Sequence, residues 1–258
     1  IATLNTARAL HAVNADVQAV IEAEDRTTLK LFNEEVFSKV SGYPFDHVML
    51  VDGNDQRGID VGIMSRSSYP ITSLRSHVDD RDSKGKIFSR DCAEYEIALP
   101  GGKSLWVLIN HFKSKGYGSQ SASDAKRKRQ AKRVREIYEQ HLAEGDEFVA
   151  VVGDLNEVPS NDPLSPLIGL GSTLRDISEH PQYDGQGFVG THGNCAASGK
   201  LDYILLSPAL YAKVDAAGIE RRGMWGGAKG TLWPRFPEVG AADEAASDHA
   251  ALWVDLDV

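Results

Sequence analysis

The chain has 258 residues, of which 41% are hydrophobic and 25% are charged. This composition is typical of a globular protein with a sizeable core, and no apolar run approaches the roughly 18 residues of a membrane span. A net charge of −9 disfavours sequence-independent binding to nucleic acid. It permits a small phosphorylated substrate, because a bound metal ion can supply local positive charge.

The chain shows no internal repeat or low-complexity linker, which predicts a single domain over residues 1–258 and a monomer. It begins at Ile1 without a leader, so we expect a trimmed chain, and the compartment, cytoplasmic or secreted, stays unknown. Cys92 and Cys195 are predicted to be buried free thiols. A single bridge between them, or an approach of the two near the site, is the alternative.

The first predicted elements are a short strand over residues 1–5, a helix over 7–20, a short strand over 19–23 and a helix over 27–40. The last helix is expected to bury an apolar face that contains Leu29, Leu31, Phe32, Val36 and Phe37.

Two pairs of strands follow, at residues 48–51 with 59–65 and at 94–99 with 104–110, each joined by a Gly-containing turn. A strongly charged helix over 123–142 precedes strands at 148–152, 201–207 and 250–256. Strands outnumber helices, which predicts two packed sheets with helices outside.

The apolar strand 148–152 ends in Gly153, Asp154, Leu155 and Asn156. Gly153 allows a tight turn, and the spacing of two points Asp154 and Asn156 the same way in extended chain. A carboxylate and an amide presented together can hold a metal-bound water or a phosphoryl oxygen. An ordinary Asx-turn is the alternative for this string.

Asp202 begins another apolar strand, and Asp248 and His249 precede the last one. An imidazole titrates near neutral pH, and a carboxylate on its second nitrogen would fix its tautomer. The alternatives are a pairing of Asp202 with an arginine and a surface histidine beside a strand cap.

Further polar residues follow apolar runs at Glu22 and at His111 with Lys113. A carboxylate such as Glu22 suits Mg²⁺, and a histidine with a lysine suits phosphate. A helix N-terminus and a polar loop are the respective alternatives.

In this order along the chain, the motifs resemble the endonuclease/exonuclease/phosphatase superfamily of DNase I-like metal-dependent phosphoesterases. The motifs that carry the resemblance are Thr3-Leu4-Asn5, residues 16–24, residues 57–63, Phe88-Ser89-Arg90, Asn110-His111, residues 153–156, Leu201-Asp202-Tyr203 and Ser247-Asp248-His249. Two features depart from the family pattern. The spacing between Asn5 and Glu22 is short, and Ile21 stands where Gln is frequent.

The resemblance implies an α/β fold built as a four-layer α/β/β/α sandwich, with the site at one edge of two mixed sheets. It implies a Mg²⁺ site, with Mn²⁺ or Ca²⁺ as alternatives, formed by Glu22, Asn5 and Asp248. His249, oriented by Asp202, would activate water or hold the phosphoryl group. Asp154 would act on the nucleophile or the leaving group. The implied holders of phosphate oxygens are Asn156 and His111.

Two segments bear on the substrate. A basic run over residues 124–139 is suited to a nucleic-acid backbone, although a solvated helix face is the favoured explanation. Residues 224–237 carry Trp225, Trp233 and Phe236, which suit either base stacking or packing of a long loop. The leading prediction is therefore a phosphodiesterase or nuclease. The alternatives are an enzyme for a small or lipid-linked phosphate and a catalytically silent binding module.

Overall fold

The computed structural model describes residues 1–116 and 118–258 of the chain. The α-helices among these residues are α1 (Ala2–Val13), α2 (Arg26–Leu31), α3 (Ser38–Ser41), α4 (Gln120–Glu144), α5 (Ser165–Ile168) and α6 (Pro208–Tyr211). A π-helical stretch, Phe32–Phe37, joins α2 to α3. Short 3-10 turns lie at Asp162–Leu164, Ile177–Glu179, Ala197–Gly199 and Ala242–Glu244.

The strands carry most of the architecture. They are β1 (Val17–Ala23), β2 (His47–Leu50), β3 (Asp60–Ser65), β4 (Ile71–Arg75), β5 (Arg81–Asp82), β6 (Gly85–Lys86), β7 (Cys92–Ala98), β8 (Ser104–His111), β9 (Val149–Asp154), β10 (Arg175–Asp176), β11 (Tyr183–Asp184), β12 (Asp202–Leu206), β13 (Val214–Glu220) and β14 (Ala251–Leu256).

One sheet has six strands in the order β10-β12-β9-β8-β7-β4, and it is mixed because β8 and β9 run parallel. The facing layer consists of two three-stranded groups, β1-β3-β2 and β11-β13-β14. A small hairpin pairs β5 with β6. The central strands β8, β9 and β12 alternate their side chains between two cores, which is why both faces of this sheet are apolar there.

The cores define four layers. One core lies between the six-stranded sheet and the face of α4 that bears Val134 and Ile137. A second core lies between the six-stranded sheet and the two three-stranded groups. A third joins the outer face of β1, β2 and β3 to the helices α1 to α3. The predicted α/β/β/α sandwich is therefore confirmed.

The N-terminal prediction was wrong. Residues 2–13 form helix α1 rather than a strand followed by a helix, and the helix ends at Asn14, whose left-handed φ of 53° closes the last turn onto Leu10. The following strand, β1, starts two residues before the predicted position. The helix over residues 26–41 follows the prediction, except that Leu31 is 55% exposed. Strands β4, β5, β6, β10, β11 and β13 were not predicted, because they are very short or carry no continuous apolar run.

Cys92 and Cys195 are both free and buried, as predicted, and they pack in different apolar clusters. Among the described residues, none of the helices combines the length and the apolar character that a bilayer crossing requires.

Candidate active site

Three neighbouring strands bring their polar residues to one edge of the six-stranded sheet. His111 is the last residue of β8, Asp154 is the last of β9 and Asp202 is the first of β12. The strand register pairs His111 with Asp154 and Asp154 with Asp202. Residues directly opposite each other on neighbouring strands share a face, so these three side chains lie side by side.

Glu22 reaches this edge from the facing layer. It sits at an irregularity in β1, between Ile21 and Ala23, and has a left-handed φ of 63°. A bulge re-aims a side chain, and an uncommon backbone conformation of this kind is frequent at functional sites. The Glu22 carboxylate lies 3.8 Å from His111 Nε2. The bulge therefore brings a carboxylate of one layer to an imidazole of the other.

The turn after β9 fixes Asp154. Gly153 has a φ of 128°, and a Cβ there would lie 2.0 Å from the carbonyl oxygen of Asn110, so only glycine fits. The backbone N–H of Asn156 donates to one oxygen of Asp154 at 2.7 Å, and its side-chain amide donates to the other at 2.8 Å. The same amide donates to Phe112 O. The Asx-turn that was the alternative for this string is thus present, and the same hydrogen bonds orient the carboxylate toward the site.

Asp202 and His249 form the expected pair, with 2.8 Å between Asp202 Oδ2 and His249 Nδ1. The Thr191 hydroxyl donates to the same oxygen at 2.6 Å, which holds the carboxylate in place. Burial lowers the pKa of His249, but the hydrogen bond and charge of Asp202, together with the charges of Asp154 and Asp248, outweigh burial and raise it to about 9. The geometry supports the orienting carboxylate that the sequence suggested.

The buried groups beside this pair have altered proton affinities. Burial, followed by the charge of Asp202, raises the pKa of Asp154 to about 7. Burial and then the charge of Arg90 lower the pKa of His111 to about 3, so this imidazole is neutral at physiological pH. His111 Nε2 lies 3.6 Å from Asp154 Oδ2.

Two arginines complete the site, although the sequence analysis gave them no role. Asp55 accepts hydrogen bonds from Arg57 through both of its oxygens, at 3.0 and 2.8 Å, and lies 3.3 Å from Arg90 Nε. Arg90 is only 2% exposed and also donates to Phe112 O. The contact between Asp55 and Arg90 spans 35 positions, so local patterns could not reveal it.

The loops that carry the site are held by Arg127 on α4. Its guanidinium donates to Lys113 O at 2.8 Å, in the loop after β8, and to Glu157 at 3.0 Å, in the loop after β9. Glu157 is buried and also accepts from Lys115. One arginine of the basic run therefore positions two loops of the site.

A common cleft of about 1250 Å³ is lined by Arg57, Arg90 and seven of the site residues that the resemblance implied: Glu22, His111, Asp154, Asn156, Asp202, Asp248 and His249.

The expected role of Asn5 as a metal ligand does not agree with its position. It lies inside α1, fully buried, and its amide donates to the carbonyls of Glu238 and Glu244 at 3.2 and 2.6 Å. Those bonds fix the loop over residues 238–244, and Asn5 does not reach the cleft.

His192 is a further residue that the sequence analysis missed. Its ring centroid lies 4.6 Å from that of His249, and its Nε2 lies 3.3 Å from Asp248 Oδ2. The backbone bridge between residues 192 and 249 places it there. No local signal marks it, because it follows no apolar strand and its partners lie more than fifty positions later.

Several solved structures share this fold. A mannosyl-6-phosphatase from Bacteroides thetaiotaomicron VPI-5482 superposes with a TM-score of 0.71 at 18% identity, covering 99% of this chain and 90% of the other. Truncated TDP2 from Caenorhabditis elegans superposes with a TM-score of 0.62 at 14% identity, covering 97% of this chain and 88% of the other. Beta toxin from Staphylococcus aureus superposes with a TM-score of 0.66 at 17% identity, covering 100% of this chain and 93% of the other.

At these identities the superpositions establish the fold alone. The search against curated proteins gave no match to this sequence. The family model described as "Endonuclease/Exonuclease/phosphatase family" matches residues 4–180, which is more than half of the chain. The chain therefore belongs to the endonuclease/exonuclease/phosphatase family.

Proposed function

We propose that the protein is a divalent-metal-dependent hydrolase of phosphoesters. The observation that carries the proposal is the convergence of the His249–Asp202 pair with Asp154 and Glu22 at one cleft. Phosphoryl transfer needs positioned groups and stabilisation of developing charge more than it needs a protein nucleophile. A cleft with an oriented imidazole, several carboxylates and two arginines provides both.

The donor set fits a hard divalent cation. Burial, and after it the charges of Asp202 and Glu22, raise the pKa of Asp154, so these carboxylates repel one another when all are ionised. A bound cation would relieve this repulsion. Glu22 and Asp248 would hold it, and Mg²⁺ is the proposed ion, with Mn²⁺ or Ca²⁺ as alternatives. Such an ion neutralises charge on the phosphoryl oxygens.

The remaining roles follow from the hydrogen bonds. Because His249 Nδ1 is bonded to Asp202, Nε2 is its remaining nitrogen. The raised pKa of about 9 favours the protonated ring, whose Nε2–H would hold the phosphoryl group, whereas only the neutral ring would activate water. Asp154 is oriented by Asn156 and is proposed to act on the nucleophile or the leaving group. A neutral His111 has one N–H with which to donate to a phosphoryl oxygen. The side-chain amide of Asn156 would donate to a phosphoryl oxygen only by giving up its hydrogen bond to Asp154 or to Phe112 O.

We infer that the substrate is a small phosphoester rather than a polynucleotide. Two cations of α4 that could contact a nucleic-acid backbone are already paired with acids. Lys128 lies 2.7 Å from Asp162, and Arg133 lies 2.6 Å from Asp80. Arg57 and Arg90 also contact an acid, but they share the single carboxylate of Asp55, so two positive charges face one negative charge in the cleft. That surplus of positive charge suits one compact phosphate group. The name of the mannosyl-6-phosphatase with this fold points in the same direction.

The test compares substrates and metals with one preparation. The protein is incubated with hexose 6-phosphate, bis(p-nitrophenyl) phosphate, single-stranded DNA and supercoiled plasmid, each with Mg²⁺ or with EDTA. Mg²⁺-dependent release of phosphate from the hexose phosphate, lost in His249→Ala and kept in the control His11→Ala, is expected. His11 is a suitable control because it lies exposed on α1.

Two other outcomes would change the assignment. Cleavage of either DNA, lost in His249→Ala, would establish a nuclease and overturn the small-ester inference. Failure of folded wild type to hydrolyse any substrate, together with no heat of Mg²⁺ binding in calorimetry, would favour a silent binding module on this fold.

A further inference from the structure

A second group of metal-ligating side chains lies at the rim of the cleft. His192, Asp248 and His249 each present a ligand atom, and these atoms all lie within 4.8 Å of one another. The proposed hydrolysis assigns roles to His249 and Asp248 but none to His192. Two imidazoles and a carboxylate gathered this closely resemble a coordination set more than a simple ion pair.

The backbone holds these three side chains in place. Residues 192 and 249 form an antiparallel bridge, and Gly193 N–H donates to Asp248 O at 2.8 Å. On the other side, Ala250 N–H donates to Thr191 O at 2.8 Å. Because the scaffold is already paired, an ion would need little rearrangement of the chain in order to bind.

The chemistry of the ligands selects the ion. Imidazole nitrogen with a single carboxylate suits Zn²⁺ and related transition metals, whereas Mg²⁺ prefers several oxygen ligands. The side chain of His192 is 39% exposed and that of Asp248 is 76% exposed, so an ion can enter from solvent and retain water as a further ligand. This rim is therefore chemically distinct from the carboxylate side at Glu22.

We propose that His192, Asp248 and His249 form a Zn²⁺ site that overlaps the catalytic centre. A ring nitrogen of His249 that is bound to Zn²⁺ is no longer available to water or to the phosphoryl group. Zn²⁺ at this rim is thus an inhibitor, a role that rests on the proposed phosphoesterase function. Binding of Zn²⁺ at the rim is independent of any activity.

Binding is tested without substrate. Co²⁺ is added to metal-free protein and its visible absorption is followed, and Zn²⁺ is then titrated by calorimetry in the presence of excess Mg²⁺. Wild type is expected to develop Co²⁺ bands that Zn²⁺ abolishes and Mg²⁺ does not. His192→Asn should weaken Zn²⁺ binding by at least roughly tenfold, the usual effect of losing a supporting group at a metal site.

The control variant is His11→Asn, which should bind Zn²⁺ as wild type does. Asp248→Asn provides a second ligand variant, and circular dichroism verifies that each variant is folded. Equal Zn²⁺ affinity of wild type, His192→Asn and Asp248→Asn would overturn the site. If wild type hydrolyses a phosphoester, the Zn²⁺ concentration for half-inhibition should rise at least tenfold in His192→Asn. An unchanged value would overturn the inhibitory role alone.

Discussion

Glu94 lies at the centre of a buried chain of charged groups, and its replacement by glutamine should destabilise the fold in a pH-dependent way. Its carboxylate is bonded to His77 on one side and to His141 of α4 on the other. The outer nitrogens of these rings contact Asp80 at 3.0 Å and Asp146 at 2.7 Å. This network of charged side chains therefore joins β7 to α4 and to the segment over residues 77–90, which leads to Arg90.

The magnitude follows from the proton affinity of Glu94. Burial raises its pKa, but the hydrogen bonds and charges of His141 and His77 outweigh burial and lower the pKa from 4.5 to about 2. At about 1.4 kcal/mol for each pH unit, this difference corresponds to about 3 kcal/mol of folding free energy. Because the Glu94 side chain is only 2% exposed, solvent screens little of it.

The direction of each pKa shift determines whether the contribution of that group to folding stability rises or falls with pH. The Glu94 contribution is present above its ordinary pKa of 4.5 and is lost as the pH falls toward about 2. Burial lowers the pKa of His77 and His141, but their bonds to Glu94 and the neighbouring aspartates raise it. Their contribution is present below the ordinary pKa of 6.5 and is lost as the pH rises through the raised value.

The free energy of unfolding should be measured by urea denaturation from pH 3 to pH 9 for wild type, Glu94→Gln and the control Glu96→Gln. Glu96 lies two residues away on the same strand and accepts a hydrogen bond from Ser104. Glu94→Gln is expected to lose about 3 kcal/mol between roughly pH 4.5 and 6.5, and less at either extreme. A deficit that is constant with pH, or one matched by Glu96→Gln, would refute the charge-chain explanation.

Three further variants test the site. Asp202→Asn should lower kcat by roughly 10²–10⁴-fold without loss of folded structure, because the imidazole of His249 loses its orienting carboxylate; near-normal turnover in a kinetic assay would contradict this. Asn5→Ala should lower the unfolding free energy by about 1–3 kcal/mol because two buried carbonyls lose their donor, yet leave calorimetric Mg²⁺ affinity unchanged; weakened Mg²⁺ binding would restore Asn5 as a ligand. Asp55→Asn should raise KM roughly tenfold because Arg57 loses its fixed orientation, whereas a lower KM would show that net positive charge matters more.

The sequence by itself determined the local parts of the site. Asp154, Asp202 and His249 each lie at the boundary between an apolar strand and a polar turn, and such boundaries can be identified from a few neighbouring residues. The charged helix predicted over residues 123–142 is also confirmed, as α4. Assignment of residues 1–258 to a single domain stays a prediction, as do the roles of the site residues.

Other features were decided only by tertiary structure. A short N-terminal segment has weak local preference, and residues 2–13 form a helix that packs against α3, the π-helical stretch Phe32–Phe37 and β14. That packing directs Asn5 to loop carbonyls. The Asp55–Arg90 pair, the Glu94 charge chain and the His192 cluster all join residues far apart in sequence. Such contacts arise when sheet edges and loops meet, and no local periodicity encodes them.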